Sequence, residues 1–371
     1  MKKTLPIVAA LVSTLFVTGC FDDDTKPKPE PKPDRLELKQ LMEVPGLAVY
    51  GGPLGLTLSD DGTLIATGLG DIVVKRDKSG AIYTADPGSS KLVERTIESD
   101  VGEDYYGFSS VAYSKLRNSL FVCSVPLLSF GGVAPAVVEF ELDNKGDYEW
   151  KGVMEFSPTR TGQVCKGMKI QNNNLLVVNT VAIDGTYPVL YRIDLSTNPA
   201  LPAQIPVFLR YADLGYTASD MLAESVVDIS ADMLHDSMPT NPGDFHIYLL
   251  DRAKSSIDEV LFEASSGTIL ITKSGFDRGI IADPLSFIDF GKGKFILSGG
   301  AHDPGSPTAI YEVQYHDGGN PSYKFLGLAP SPIPSFAYGQ SRSGSGNSLY
   351  ASLASADEKG KFHVAEYSYT G

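Results

Sequence analysis

From residue 36 onward the chain alternates apolar and polar residues in short runs, which turn-forming residues separate. A short alternating run, a turn and a second, more apolar run recur six times. The paired runs lie at 54–58 and 64–66, 109–113 and 120–122, 167–170 and 175–178, 226–229 and 247–249, 287–290 and 295–297, and 335–338 and 349–350. Alternation with a period of two predicts β-strands, and turns such as Asp61-Gly62 and Gly291-Lys292-Gly293 are typical of hairpins.

The spacing of these pairs predicts the fold. The aligned apolar residues of the first runs are Leu56, Val111, Met168, Val227, Ile288 and Phe336, at steps of 55, 57, 59, 61 and 48 residues. Each pair is followed by further strand-like runs, for example 137–142 and 148–156. Four antiparallel strands in about 55 residues correspond to one blade of a β-propeller.

The sixth unit offers only three strands, and an unpaired run at 36–41 can supply the fourth. Pairing the first strand with the last unit closes the ring and removes its free sheet edges. The sequence therefore predicts an all-β domain over residues 36–371, a six-bladed β-propeller in which an N-terminal strand completes the last blade.

The domain resembles the six-bladed propellers of the NHL, gluconolactonase-like and TolB-like families. The resemblance covers nearly all of residues 36–371, and it rests on the unit length and on turns such as Leu58-Ser59-Asp60-Asp61-Gly62-Thr63-Leu64. Because such turns are architectural, the resemblance implies the fold and leaves the activity open.

The first residues carry an export pattern. Lys2 and Lys3 precede a mostly apolar run at 5–17, which is too short to span a bilayer but suits a secretory signal peptide. The next residues, Val17-Thr18-Gly19-Cys20, resemble the lipobox of bacterial lipoproteins. This resemblance implies a signal peptide at 1–19 and attachment of lipid, such as palmitate, to Cys20. An ordinary signal peptide with an incidental cysteine is the alternative.

Residues 20–35 follow as a tether rich in proline and charge. Alternating proline and charged residues favour extended polyproline II, which makes a semi-rigid spacer. Phe21, rather than aspartate, follows the cysteine, and by resemblance to the sorting rule of Gram-negative lipoproteins this favours the outer membrane. The acidic triplet 22–24 also resembles a surface-export signal, so the periplasmic and cell-surface sides both stay open.

The formal net charge of −14 excludes one class of partner. A domain this acidic repels phosphate backbones, so we expect no nucleic acid partner. The membrane, through the lipid, and a protein or small molecule on the propeller are the expected partners of a monomer.

The chain has three cysteines. If Cys20 carries lipid, Cys123 and Cys165 remain as a pair in an oxidising compartment, which favours a disulfide between neighbouring blades. Two buried free thiols are the alternative.

Candidate ligand-binding residues lie on the first strands, which line the axial channel of a propeller. The positions after the aligned apolar residues are Thr57, Ala112, Lys169, Asp228, Asp289 and Ala337. Lys169, Asp228 and Asp289 are the charged members, and they form either a ligand site or a solvated, ion-paired inner ring.

Loops on one face of the ring add further candidates. We call this the top face, where first strands begin and second strands end, and it is the usual ligand site of the fold. Tyr105 and Tyr106 form an aromatic pair that either stacks on a ligand or packs between blades. Asp251, Arg252 and His302 come from later loops, and Asp251 beside Arg252 most often indicates a local ion pair.

Evidence for catalysis is weak. Gluconolactonase-like propellers hold a divalent cation, with a glutamate where the first strand begins and with Asn and Asp from later blades. This chain has no carboxylate at 50–53, and Asn179 and Asp251 supply only two of four ligands. There is no Gly-x-Ser-x-Gly motif, and the histidines show no metal-site spacing. We expect no metal and no cofactor.

These observations favour a lipid-anchored binding or scaffold propeller of the cell envelope, without catalysis. Its ligand would be a protein partner or a small molecule passed to a membrane transporter. The alternative is a divalent-metal-dependent esterase or lactonase of the gluconolactonase-like kind.

Overall fold

The six predicted repeats form six small antiparallel sheets in the computed structural model. Residues 34–371 constitute one unit. The structure describes residues 36–45, 53–68, 81–98, 107–124, 135–143, 146–156, 165–180, 186–196, 202–217, 225–231, 241–300, 307–316 and 319–369. No helix in these ranges is both long and apolar enough to cross a membrane.

Each sheet contributes an inner strand, two middle strands and an outer strand. From blade 1 to blade 6, the inner strands are β2 (Pro53–Leu58), β7 (Phe108–Ser114), β11 (Cys165–Gln171), β16 (Val226–Ala231), β20 (Phe287–Asp289) and β24 (Phe336–Gln340). In the same order, the second strands are β3 (Leu64–Gly68), β8 (Ser119–Ser124), β12 (Asn174–Asn179), β17 (Phe245–Asp251), β21 (Lys294–Gly299) and β25 (Asn347–Leu353).

The third strands are β4 (Ala81–Ala85), β9 (Ala136–Leu142), β13 (Pro188–Asp194), β18 (Ser256–Glu263), β22 (Thr308–Gln314) and β26 (Phe362–Ser368). The outer strands are β5 (Val93–Arg95), β10 (Tyr148–Phe156), β15 (Val207–Arg210), β19 (Thr268–Gly275), β23 (Ser322–Ala329) and, for blade 6, β1 (Glu37–Val44). Two short strands, β6 (Ile97–Glu98) and β14 (Gln204–Ile205), pair in parallel with β10. The predicted six-bladed propeller is thus confirmed.

The inner strands form a closed ring, because each contacts the inner strand of the next blade and β24 contacts β2. Among the described residues, the hydrophobic core consists of six clusters, each between the facing sheets of two neighbouring blades. Where β11 meets β16, a glycine is required: a Cβ on Gly167 would lie 2.9 Å from Cγ2 of Ile229 and 3.1 Å from Oδ1 of Asp228. The small residue therefore sets the close approach of blades 3 and 4.

The N-terminal strand closes the ring, as the sequence predicted. β1 pairs antiparallel with β26, and Met42 and Val44 are buried in the cluster that joins blade 6 to blade 1. The amide of Gln40 also donates to Oε2 of Glu366 at 2.5 Å. The first and last parts of the domain are therefore held together by backbone and side-chain contacts.

A β-bulge at one position of the inner strands alters the alignment made from the sequence. The bulged residues, each skipped in the pairing with the second strand, are Leu54, Ser109, Lys166 and Val227. The residue equivalent to Leu56 in blade 4 is therefore Ile229 and not Val227. In blade 5 it is Phe287 and not Ile288, because Phe287 packs against blade 4 whereas Ile288 packs against blade 6. Asp228 and Asp289 are consequently not equivalent to Lys169.

The third strands share a polar position that the sequence analysis missed. A glutamate stands there in four blades, and an arginine, a histidine or a hydroxyl group lies within hydrogen-bond distance of it. The pairs are Glu139 with Arg117, Glu259 with His246, Glu312 with Tyr369, and Glu366 with Ser341. The recurring sequences Val-Val-Glu-Phe, Ile-Asp-Glu-Val, Ile-Tyr-Glu-Val and Val-Ala-Glu-Tyr were the available signal.

A disulfide joins Cys123 of β8 to Cys165 of β11, so the predicted bridge between blades 2 and 3 is present. The two Cα atoms lie 6.1 Å apart, and both residues are fully buried. The hydroxyl of Ser109 donates to the carbonyl of Cys165 at 3.0 Å, which adds a hydrogen bond between the same blades.

We predict that replacing both cysteines by alanine lowers the free energy of unfolding by about 4 kcal/mol. The bridge closes a loop of 42 residues, and this is the chain-entropy contribution for a loop of that length. Urea denaturation of both proteins measures the difference. Reductant should destabilise the wild type and leave the double variant unchanged, and equal stability of the two oxidised proteins would contradict the prediction.

Candidate functional site

The structure brings Lys169 and Asp228 together on the inner ring. Lys169 lies on β11 of blade 3, and Asp228 lies on β16 of blade 4, where Gly167 allows the two strands to approach. The carboxylate of Asp228 accepts hydrogen bonds from the backbone N–H of Ile229 at 2.8 Å and of Phe287 at 3.0 Å. Since Phe287 begins β20, this side chain also ties blade 4 to blade 5.

Burial sets the protonation behaviour of this pair. It lowers the pKa of Lys169, and the attraction of Asp228 opposes that effect only in part. Burial also raises the pKa of Asp228 to about 6. The attraction of Lys169, the two backbone hydrogen bonds and a weaker attraction from Lys166 lower this pKa, but they do not cancel the effect of burial. The side chain of Asp228 is buried, whereas Lys169 is half-buried.

Lys166 is a second cation at this site, and the sequence analysis missed it. It is the bulged residue of β11 and is half-buried. Neither its ammonium nor that of Lys169 has a hydrogen bond or a close ion pair with any residue in the described ranges. The signal was the run Cys165-Lys166-Gly167-Met168-Lys169, with two lysines three residues apart, but only the bulge shows that both act on Asp228.

Asp289 has a structural role at the end of β20. Its carboxylate accepts from the N–H of Gly291 at 3.0 Å and so stabilises the turn into β21. Its own N–H donates to the hydroxyl of Ser230 at 3.0 Å. Of the three channel residues predicted from the sequence, the contacts thus bring Lys169 and Asp228 together and place Asp289 in a turn.

Asp251 and Arg252 lie at the end of β17, on the top face. The buried carboxylate of Asp251 accepts from the hydroxyl of Tyr216 at 2.6 Å and from the N–H of Lys254 at 2.9 Å. Burial raises the pKa of Asp251, and the nearby Asp258 adds to this. The N–H of Arg252 donates to the carbonyl of Ser225 at 2.8 Å. These contacts fix the turn after β17 and the segment that contains Tyr216.

Lys254 strengthens the same arrangement. Its ammonium lies 3.9 Å from the ring centroid of Tyr216 and donates to the carbonyls of Leu214 and Gly215 at 3.0 and 2.8 Å.

Four of the residues predicted from the sequence lie outside the described residues and stay predictions. They are Cys20, Tyr105, Tyr106 and His302.

The two residues considered as ligands of a gluconolactonase-like cation already have bonds within the protein. The amide of Asn179 donates to the carbonyl of Pro188 at 2.8 Å, and Asp251 binds Tyr216 as described. Within the described ranges no three His, Cys, Asp or Glu side chains form a group that could hold a metal ion. The alternative therefore gains no support from these two residues.

Comparisons with known proteins do not assign this chain to a family. No family model matches the sequence, and no curated protein matches it. Among solved structures, the chain is similar to a candidate 6-phosphogluconolactonase from Bacteroides uniformis, with 10% identity, coverage of 85% of this chain and 84% of that chain, and a TM-score of 0.48.

Two further similar structures are enzymes by name. A candidate glucose dehydrogenase from Thermus thermophilus has 11% identity, coverage of 89% and 100%, and a TM-score of 0.42. An α-L-arabinofuranosidase from Fusarium graminearum has 9% identity, coverage of 90% and 98%, and a TM-score of 0.46. At these scores the similarities support no argument about activity, so the propeller class rests on this chain's own topology.

We predict that Asp228 makes the domain less stable as the pH rises from 4 to 7. Its pKa in the folded protein is about 6 and its ordinary value is 3.8, so folding favours the protonated form. Its contribution to the free energy of unfolding is therefore complete below pH 4 and is lost as the pH rises through 6. This contribution amounts to about 3 kcal/mol. Urea denaturation at several pH values measures the slope.

The matched variant is Asp228→Asn, which removes the titration and one acceptor. It should be less stable than the wild type at pH 4 and should recover by about 3 kcal/mol relative to the wild type by pH 7. Parallel pH profiles of the two proteins would show that Asp228 titrates normally.

Proposed function

We propose that this protein is a lipid-anchored propeller of the cell envelope that binds a ligand in its axial channel at Lys166, Lys169 and Asp228. The observation that carries the proposal is the pair of half-buried lysines, whose ammonium groups have no bonded partner among the described residues and act on a buried carboxylate. Buried and half-buried charges are normally paired, so a constellation with one excess cation favours an external partner.

The envelope location is supported by two independent features. The disulfide between Cys123 and Cys165 is typical of proteins that fold in an oxidising compartment. The N-terminal pattern supports export and attachment of lipid at Cys20, and Phe21 favours the outer membrane. A tethered binding propeller would present its ligand, a protein segment or a small molecule, to a neighbouring membrane transporter.

A non-catalytic role accounts for the contacts of the top face. Asp251, Asn179 and Tyr216 stabilise loops through bonds within the protein, which gives them a structural role that requires no metal ion and no reaction. The metal-dependent esterase or lactonase therefore stays the alternative. A hydrolytic activity that is lost when a chelator is added would reveal it.

We predict that Cys20→Ser abolishes incorporation of radiolabelled palmitate and moves the protein to the aqueous phase of a detergent partition. The thiol is the attachment atom, and serine cannot replace it. Ser13→Ala, in the apolar run, is the control and should behave as the wild type. A Cys20→Ser protein that stays wholly in the membrane fraction would contradict the anchor.

Ligand binding in the channel predicts protection of Lys169. In the purified full chain, acetic anhydride should modify both Lys169 and the exposed Lys91. In intact envelopes, where the ligand is present, Lys169 should be protected at least severalfold relative to Lys91, as peptide mass spectrometry can measure. Equal modification of Lys169 in the two preparations would contradict an occupied channel.

A further inference from the structure

We propose that the channel site takes a small molecule with a carboxylate group, held by Lys166 and Lys169, and that protonation of Asp228 strengthens its binding. This inference rests on the proposed function and specifies the ligand of the same site.

The charges of the site favour an anion. Lys166 and Lys169 of β11 both attract the single carboxylate of Asp228, which leaves one net positive charge when Asp228 is ionised. The protein as a whole has a formal net charge of −14, so its wider field repels anions. Binding of an anion would therefore depend on these two lysines rather than on the general surface.

The hydrogen bonds of Asp228 indicate that the lysines, and not this carboxylate, contact the ligand. Its two oxygens accept from the N–H groups of Ile229 and Phe287, at 2.8 and 3.0 Å, and these hydrogen bonds fix the side chain in place. The lysines have no such bonds to described residues, and each ammonium has three donors that can turn toward a ligand. Asp228 thus sets the local potential, and the lysines provide the contacts.

The net charge also favours a carboxylate over a phosphate. One carboxylate balances the single excess charge at neutral pH, whereas a phosphate dianion would leave negative charge beside the buried Asp228. Lysines act as separate point charges rather than as the planar fork of arginine, which suits a small acid without a fixed bidentate geometry.

Protonation of Asp228 couples binding to pH. The charged groups that act on this carboxylate are Lys166 and Lys169 of β11, and the backbone amides of Ile229 and Phe287 donate to it. Its pKa of about 6 means that the proton is gained between neutral and mildly acidic pH. When Asp228 loses its negative charge, Lys166 and Lys169 attract the bound anion without opposition from the carboxylate. By linkage, the bound anion favours the protonated form of Asp228.

Calorimetric titration of the purified full chain with lactate tests the inference, because the carboxyl group of lactate is ionised throughout the range used. Lactamide, its neutral analogue, is the ligand control. We expect lactate to bind, lactamide not to bind, and the affinity for lactate to be roughly fivefold higher at about pH 5.5 than at about pH 7.5. Inorganic phosphate, tested in parallel, should bind less tightly than lactate.

Matched variants assign the contacts. Lys169→Met and Lys166→Met should each weaken lactate binding by about tenfold, whereas Lys91→Met, at an exposed site, should have no effect. Asp228→Asn should bind at about pH 7.5 as tightly as the wild type does at about pH 5.5, without pH dependence. If that variant does not fold, the pH profile of the wild type still decides the matter.

The inference is wrong if lactate and lactamide bind equally, if phosphate binds more tightly, or if Lys169→Met keeps full affinity. Failure of lactate while Lys169 stays protected in intact envelopes would leave the binding propeller in place with another class of ligand. Failure of both measurements would overturn the proposed function as well.

Discussion

The pairing of the first strand with the last blade is the interaction on which the rest of the structure depends. β1 adds its backbone to β26, and Met42 and Val44 pack between blades 6 and 1. Lys361 and Glu43 add an ion pair at 2.5 Å, although an exposed pair of this kind contributes little. Because an open ring would expose both a sheet edge and an apolar blade face, closure positions all six inner strands at once.

The candidate site is a consequence of that closed ring. Asp228 is buried because its carboxylate links blade 4 to blade 5 through the N–H of Phe287, and the glycine at 167 allows blade 3 to approach it. Burying a carboxylate raises its pKa, and Lys169 offsets only part of this cost. The structural bonds of Asp228 therefore fix a buried carboxylate near two lysines, and the proposed ligand site depends on this arrangement.

The sequence predicted the blades well, because each is defined by a period of two and by hairpin turns. It also predicted the role of the strand at 36–41, and neighbouring blades brought Cys123 close to Cys165. It misaligned blade 4 by two residues, since a shift of two preserves the alternation and the bulge at Val227 has no separate signature. The lysines that act on Asp228 could not be predicted, because their positions depend on such bulges.

Removal of β1 tests the central claim, that this strand closes the ring, most directly. Thermal unfolding of a chain that lacks residues 36–44 should be compared with that of a chain that lacks only the tether at 21–35. Loss of β1 should lower the unfolding midpoint by at least several degrees and increase hydrogen exchange in β2 and β26, whereas loss of the tether should change neither. Equal midpoints and equal exchange in the two proteins would contradict the account.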